Sequence, residues 1–191
     1  MTKVTRIGII AEDATDYEAI KAILLKLTKN AHIGYKKRVG DGCGRIASKC
    51  LAWSNELHAQ RCNVLILIQD RDRNNAQDLK STLEGKLQTS KIKTKLVCIP
   101  VEELEAWLIA DPDTLKTMFS LKYKPKFRGM PENIESPKEK LRDELYRCSD
   151  SKIIHLPKNN ITIAGAINLD IVKSKCPSFR ELTDFVGSLV F

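Results

Sequence analysis

Four short apolar runs, separated by segments with helical periodicity, constrain the fold of this 191-residue chain more than any other feature. The runs are residues 3–11, 33–39, 63–68 and 93–100, and the helical patterns between them are 13–27, 45–60 and 76–88. Strands that are apolar on both faces and alternate with helices are typical of a parallel sheet covered on two sides. We therefore predict an α/β, Rossmann-like core with about four mainly parallel strands flanked by helices. Thr15 and Glu18 predict a capping box at the start of the first helix.

The chain length favours a single domain over residues 1–191, because 191 residues with 42% hydrophobic content suffice for one substantial core. Within it we expect the α/β core over 1–111, a helical and basic insertion over 112–150, and a helical C-terminal completion over 151–191. A helical apolar stripe near the C-terminus is expected to join the core. Its members are Phe179, Leu182, Phe185, Val186 and Leu189.

Composition limits the partners and the compartment. The 32 Lys and Arg residues outnumber 24 Asp and Glu residues, and this formal charge of +8 favours polyanionic partners such as nucleic acid.

The six cysteines form no CxxC pair, and the N-terminus lacks the apolar segment of a secretory signal, so we expect reduced thiols in a cytoplasmic protein. The apolar runs are too short to span a bilayer, and no membrane partner is expected.

Acidic side chains follow three of the predicted strands where each strand ends. Glu12 ends the first strand. Asp70 and Asp72 follow the third in "VLILIQDRDRN", and Glu103 and Glu105 follow the fourth in "VEELEAWLIAD". Ligands of open parallel sheets bind outside the carboxyl ends of the strands, so these side chains are expected to face one crevice. Clustered carboxylates repel one another unless a cation compensates, which predicts a site for Mg²⁺ or Mn²⁺.

Two other interpretations of these carboxylates stay open. Arg71 and Arg73 alternate with the aspartates, and the segment therefore also fits a set of surface salt bridges. Glu103 and Glu105 equally fit the start of a helix, where the helix dipole favours negative charge.

Basic residues elsewhere suggest contacts with a nucleic-acid backbone. In "LKYKPKFRG" (121–129) cations alternate with Tyr123 and Phe127, which suits phosphate contacts and base stacking, although a solvated loop would look similar. In "RVGDGCGRIASK" glycines precede a helix start, where free N–H groups can receive a phosphate, although a simple turn is also consistent. The expected nucleic-acid-binding residues are Arg45, Lys122, Lys124, Lys126 and Arg128.

The order of these motifs resembles a known group of proteins. Glu12 after an apolar strand, followed later by "DRD", resembles the TOPRIM domain of topoisomerases, primases and nucleases of the OLD (overcoming lysogenization defect) type. "VEELEAWLIAD", "HLPKNNITIAGAI" and "CPSFRELTDFV" narrow the resemblance to the small TOPRIM-like proteins of DUF4276, over nearly the whole chain. The resemblance implies that Asp70 and Asp72 hold magnesium. It also implies that Glu12 binds metal or transfers a proton, with Glu105 as a further ligand.

The function that this resemblance implies is a metal-dependent nuclease. Its metal would neutralise the scissile phosphate and activate the nucleophile, and Lys158 is the expected phosphate contact. The resemblance further implies an ATPase partner encoded nearby and a role in defence against phage. The substrate would be DNA or RNA, and the protein could form a homo-oligomer. A ribosomal-RNA maturase and a non-catalytic scaffold that binds an ATPase or nucleic acid are the alternatives.

Asp13 departs from the TOPRIM pattern, which commonly has glycine after the first glutamate. Its side chain would either crowd the turn or add another carboxylate. The departure also suggests a rival resemblance, because Glu12, Asp13, Asp70 and Lys158 resemble the acidic pair, phosphoacceptor and lysine of a response-regulator receiver. The long Pro- and Lys-rich interval between Asp70 and Lys158 does not suit a compact receiver.

Overall fold

A parallel four-stranded sheet with the order β2-β1-β3-β4 lies at the centre of the computed structural model, which describes residues 3–29, 32–40, 44–71 and 74–191. The strands are β1 (Arg6–Ala11), β2 (Gly34–Val39), β3 (Val64–Ile68) and β4 (Thr94–Cys98). All four predicted strands are present, with ends within three residues of the expected ones. The α/β class is therefore confirmed.

Helices cover both faces of the sheet. The helices between the strands are α1 (Ala14–Thr28), α2 (Arg45–Ala59) and α3 (Ala76–Lys86). After β4 come α4 (Glu105–Leu108), α5 (Pro112–Met118), a 3₁₀ turn (Pro131–Asn133), α6 (Pro137–Cys148), α7 (Asn159–Ala166), α8 (Leu169–Lys175) and α9 (Pro177–Gly187). The C-terminal part is thus helical, as predicted. Within the described ranges, no helix is long and apolar enough to cross a membrane.

Alternation along the strands divides the buried side chains into two cores. Ile66 and Ile68 of β3 face α1 and the C-terminal helices, whereas Leu65 and Leu67 face α2 and α3. The predicted C-terminal stripe joins the first core, which confirms that expectation. Phe179, Leu182 and Val186 are buried in it, and Phe185 and Leu189 pack against it.

The start of α1 differs from the prediction. Asp13 is the N-cap, and its Oδ1 accepts hydrogen bonds from the backbone N–H groups of Thr15 at 2.6 Å and Asp16 at 2.9 Å. A carboxylate at this position satisfies free N–H groups and interacts favourably with the helix dipole. The predicted capping box of Thr15 and Glu18 is therefore wrong. Asp13 does not crowd the turn, because its side chain caps the helix by accepting these two hydrogen bonds.

The described cysteines are free and buried in the two cores. They are Cys50, Cys62, Cys98, Cys148 and Cys176, whereas Cys43 lies outside the described residues. Burial raises the pKa of the Cys62 thiol to about 11 and that of Cys176 to about 12. These thiols therefore pack as small apolar side chains, in line with the expected reduced state.

Candidate active site at the carboxyl edge of the sheet

A polar cavity of about 180 Å³ opens at the carboxyl ends of β1, β3 and β4. These three strands are neighbours in the sheet, which confirms that their ends deliver carboxylates to one edge. Six acidic residues line the cavity. They are Glu12, Asp13, Asp16, Asp70, Glu103 and Glu105.

Backbone hydrogen bonds fix the strand ends that carry Glu12 and Asp70. The N–H of Gly40, directly after β2, donates to the carbonyl oxygen of Glu12 at 3.0 Å. The N–H of Arg71 donates to the carbonyl oxygen of Pro100 at 3.0 Å, which ties the end of β3 to the end of β4. Asp72 lies outside the described residues, so its predicted place beside Asp70 stays a prediction.

The turn after β4 places two further carboxylates. Glu103 Oε2 accepts a hydrogen bond from the backbone N–H of Lys138 at 3.0 Å. Glu105 is only 5% exposed, and its Oε1 accepts a hydrogen bond from Asn160 Nδ2 at 2.9 Å. Glu105 does begin a helix, as one interpretation held, and it also lines the cavity.

Burial and mutual repulsion disfavour full ionisation of the cavity. Burial, followed by neighbouring negative charges, holds the pKa of Asp70 well above its ordinary value. Those charges belong to Asp16, Glu12, Glu105 and Glu103. Burial, followed by the charges of Asp13, Glu105 and Glu12, also raises the pKa of Asp16 to about 7. The cavity therefore retains protons that ordinary exposed carboxylates would have released.

Arg71 does not compensate this charge. Its guanidinium forms an ion pair with Glu102, in the turn after β4. Within the described ranges, no ion pair joins Asp70 to a basic side chain. Arg73 and Asp72 lie outside those ranges. Arg71 therefore forms a salt bridge, but its partner is Glu102 and not Asp70. Asp70 lines the cavity.

The donor chemistry of the cavity fits a hard divalent cation. Carboxylate oxygens are the ligands that Mg²⁺ and Mn²⁺ prefer, and the six lining carboxylates supply them in excess. In the side-chain positions of the described residues, no three His, Cys, Asp or Glu side chains are arranged to hold a metal ion. Asp72, which is one of the expected ligands, lies outside the described residues.

The lysine that lines the cavity is Lys138 rather than the expected Lys158. Lys158 is the N-cap residue of α7, and its side chain is exposed outside the cavity lining, whereas its neighbours Pro157 and Asn160 do line the cavity. Lys138 lies in the first turn of α6. Sequence reasoning missed it because it belongs to the segment interpreted as an insertion.

A buried chain of polar side chains behind Glu105 was not predicted from the sequence either. His155 Nε2 lies 2.8 Å from Asn160 Oδ1, and both residues are almost fully buried. Burial lowers the pKa of His155, so its imidazole is neutral near pH 7. The available signal was "HLPKNN", which places polar residues just before and in the first turn of an otherwise apolar helix.

Ion pairs already occupy part of the predicted nucleic-acid-binding segment. Lys122 Nζ lies 3.0 Å from Asp150 Oδ2, and Lys124 Nζ lies 2.7 Å from Asp113 Oδ2. Lys126 is exposed, and no ion pair of its side chain is described. Nucleic acid would have to compete with the two aspartates for Lys122 and Lys124, which weakens their expected contribution.

The remaining residues of this prediction differ in their availability. Tyr123 is 50% exposed, and Lys122 Nζ lies over its ring, 5.2 Å from the ring centroid, whereas Phe127 packs against the first core. Arg128 is exposed. Arg45 is exposed at the start of α2, where Gly44 has a φ of 90° and the helix has no side-chain cap. None of these residues lines the acidic cavity.

Comparison with known proteins identifies the family of the chain. Neither a curated protein nor a solved structure matches it. The family model described as "Domain of unknown function (DUF4276)" matches residues 11–186, a range that contains every residue lining the acidic cavity. The chain belongs to the DUF4276 family.

Proposed function

We propose that this protein is a metal-dependent nuclease of the TOPRIM type that uses Mg²⁺ or Mn²⁺. The observation that carries the proposal is the cavity at three neighbouring strand ends, where Asp70 has a raised pKa and no described ion pair. Carboxylates that repel one another in a partly desolvated site are stabilised by a divalent cation. The sequence resemblance to TOPRIM supports the same residues, Glu12 and Asp70 with Asp72.

Each residue has a role in this proposal. A bound metal would neutralise the scissile phosphate, activate water and stabilise the leaving oxygen. Asp70, Asp72 and Glu105 would hold the principal ion, with Glu103 as a further ligand. Glu12 would hold a second ion or accept a proton from the nucleophile. The lysine in the cavity wall, or Lys158 beside it, would contact the phosphate as a point charge.

The substrate and the biological setting follow from charge and resemblance. The net charge of +8 favours a polyanion, and both DNA and RNA fit it. The TOPRIM resemblance supports an ATPase partner encoded nearby and a cytoplasmic role in defence against phage. A homo-oligomer is compatible with the proposal.

The test is a cleavage assay on single- and double-stranded DNA and RNA. The full chain is incubated with Mg²⁺, Mn²⁺ or a chelator, with and without the neighbouring ATPase. We expect metal-dependent cutting that Asp70→Asn abolishes. Asp143→Asn, which changes an exposed carboxylate of α6, is the matched control and should cut like wild type. No cutting in any combination would overturn the proposal.

A non-catalytic scaffold is the second candidate. The observation that favours it is that the described carboxylates are not arranged to hold a metal ion. A scaffold would bind nucleic acid or the ATPase with equal affinity in Mg²⁺ and in a chelator. Cutting confined to RNA would instead indicate a maturase, and phosphate incorporation at Asp70 from a small phosphodonor would indicate a receiver.

A further inference from the structure

A buried hydrogen-bond chain leads from the acidic cavity to His155. Asn160 bonds to His155 Nε2 at 2.8 Å through Oδ1, and its Nδ2 donates to Glu105 Oε1 at 2.9 Å. The exposed fractions are 4% for His155, 1% for Asn160 and 5% for Glu105. Buried polar groups with satisfied hydrogen bonds hold one conformation, because breaking a bond leaves an unpaired group in the interior.

The chemistry of the three side chains fixes the direction of this chain. Glu105 Oε1 accepts a hydrogen bond from the amide nitrogen of Asn160. The amide oxygen of Asn160 then faces His155, and the imidazole must carry its proton on Nε2. Donation therefore runs from His155 to Asn160 to Glu105, and each bond polarises the next.

The chain leaves one oxygen of Glu105 for the cavity. Oε1 accepts the hydrogen bond from Asn160, whereas Oε2 has no hydrogen-bond partner among the described residues. Glu105 nevertheless lines the cavity. A buried carboxylate with one oxygen held and the other available is arranged as a monodentate metal ligand, and ligating carboxylates are commonly hydrogen-bonded in this way.

We propose that Asn160, oriented by His155, is a positioning residue that holds Glu105 so that its Oε2 binds the metal ion of the proposed nuclease site. This inference rests on the proposed function. The competing explanation is a purely structural clamp, because the same bonds tie α7 to α4. A clamp would change the stability of the protein without changing its affinity for metal.

The experiment measures Mn²⁺ binding by calorimetry and thermal unfolding of the metal-free full chain. Asn160→Ala removes the donor to Glu105 and is expected to weaken Mn²⁺ binding about 10- to 100-fold, the usual effect of losing a group that orients a ligand. The matched control is Asn159→Ala. Asn159 is the neighbouring asparagine, its Oδ1 accepts from the backbone N–H of Leu156 at 2.7 Å, and it does not line the cavity. This control should bind Mn²⁺ like wild type.

A second pair of variants tests the chain without altering Asn160. His155→Gln retains an N–H donor for Asn160 and should keep most of the affinity, whereas His155→Leu removes the donor and should weaken Mn²⁺ binding. This comparison still decides the matter if Asn160→Ala fails to fold. Wild-type affinity in Asn160→Ala, or equal affinities in the two His155 variants, would overturn the inference. If wild type itself binds no Mn²⁺, the proposed function fails instead.

Discussion

Asp16 of α1 and Asp70 at the end of β3 share one cavity, and after burial the charge of Asp16 contributes most to the raised pKa of Asp70. The pKa of Asp16 is itself raised to about 7. Ionisation of either residue therefore disfavours ionisation of the other. This coupling links the stability of the metal-free protein to pH.

We expect the metal-free protein to lose part of its stability as pH rises from about 4 to about 7. The folded-state pKa of Asp16 lies above its unfolded value of 3.8, so in this range the folded state holds a proton that the unfolded state has released. Ionisation of the folded state then costs stability. Asp16→Asn removes the ionisable group, and with it this cost, so the variant should become more stable relative to wild type with increasing pH.

The measurement is chemical denaturation at several pH values in a chelator. Near pH 8 the free energy of unfolding of Asp16→Asn should exceed that of wild type by at most roughly 4 kcal/mol, since each unit of pKa difference is worth about 1.4 kcal/mol. Asp143→Asn, on the exposed face of α6, should show no such trend. A stability difference between Asp16→Asn and wild type that does not change with pH would contradict the coupling.

Salt dependence tests the basic segment. Affinity for nucleic acid should fall as salt rises, and Lys126→Ala with Arg128→Ala should reduce the slope by about two counterions. Lys122→Ala with Lys124→Ala should reduce it less, because both lysines already pair with aspartates. Filter binding or fluorescence anisotropy at several salt concentrations gives the slopes. Equal slopes for wild type and both double variants would show that residues 121–129 do not contact the nucleic acid.

The fold was predictable because its strands carry a local signal. Continuous apolar runs between amphipathic helices specify a parallel sheet, and the sheet then specifies which strand ends meet. Glu12, Asp70 and Glu105 could be grouped for that reason alone. The cap at Asp13 was missed because aspartate and threonine both cap helices. Asp13 and Thr15 lie only two residues apart, and only the geometry of the turn decides between them.

The rest of the site was not predictable because it comes from helices packed over the sheet edge. Asp16, Lys138 and Asn160 lie on α1, α6 and α7. Periodicity shows which face of a helix is buried, but it does not show which sheet edge the end of that helix reaches. Lys158 was chosen for its sequence motif, and Asn160, two residues later, reaches the cavity because it lies on the buried face of α7.

Lys138 is expected to assist cleavage more than Lys158. Lys138 lines the cavity, so removal of its charge should slow metal-dependent cutting by about 100-fold, the scale of losing one donor to a developing negative charge. Lys158→Ala should have a much smaller effect. Lys140→Ala, which changes an exposed lysine of the same helix as Lys138, serves as the control. Cleavage rates are compared in single-turnover assays with saturating Mn²⁺. If Lys158→Ala cuts more slowly than Lys138→Ala, Lys158 rather than Lys138 assists cleavage.

Asp70→Asn separates metal binding from folding. The amide keeps the shape of the side chain and removes a charge that Asp16, Glu12, Glu105 and Glu103 repel. The metal-free variant should therefore match wild type in stability or exceed it near neutral pH.

Metal binding should nevertheless weaken strongly in Asp70→Asn, because an amide oxygen is a much poorer ligand for a hard cation than a carboxylate. Saturating Mn²⁺ at 100 times its dissociation constant should stabilise wild type by about 2.7 kcal/mol and the variant by much less. Thermal unfolding with and without Mn²⁺ measures both effects in one experiment. A variant that is less stable than wild type without metal would make Asp70 a structural residue, and one that Mn²⁺ stabilises as strongly as wild type would exclude Asp70 as a metal ligand.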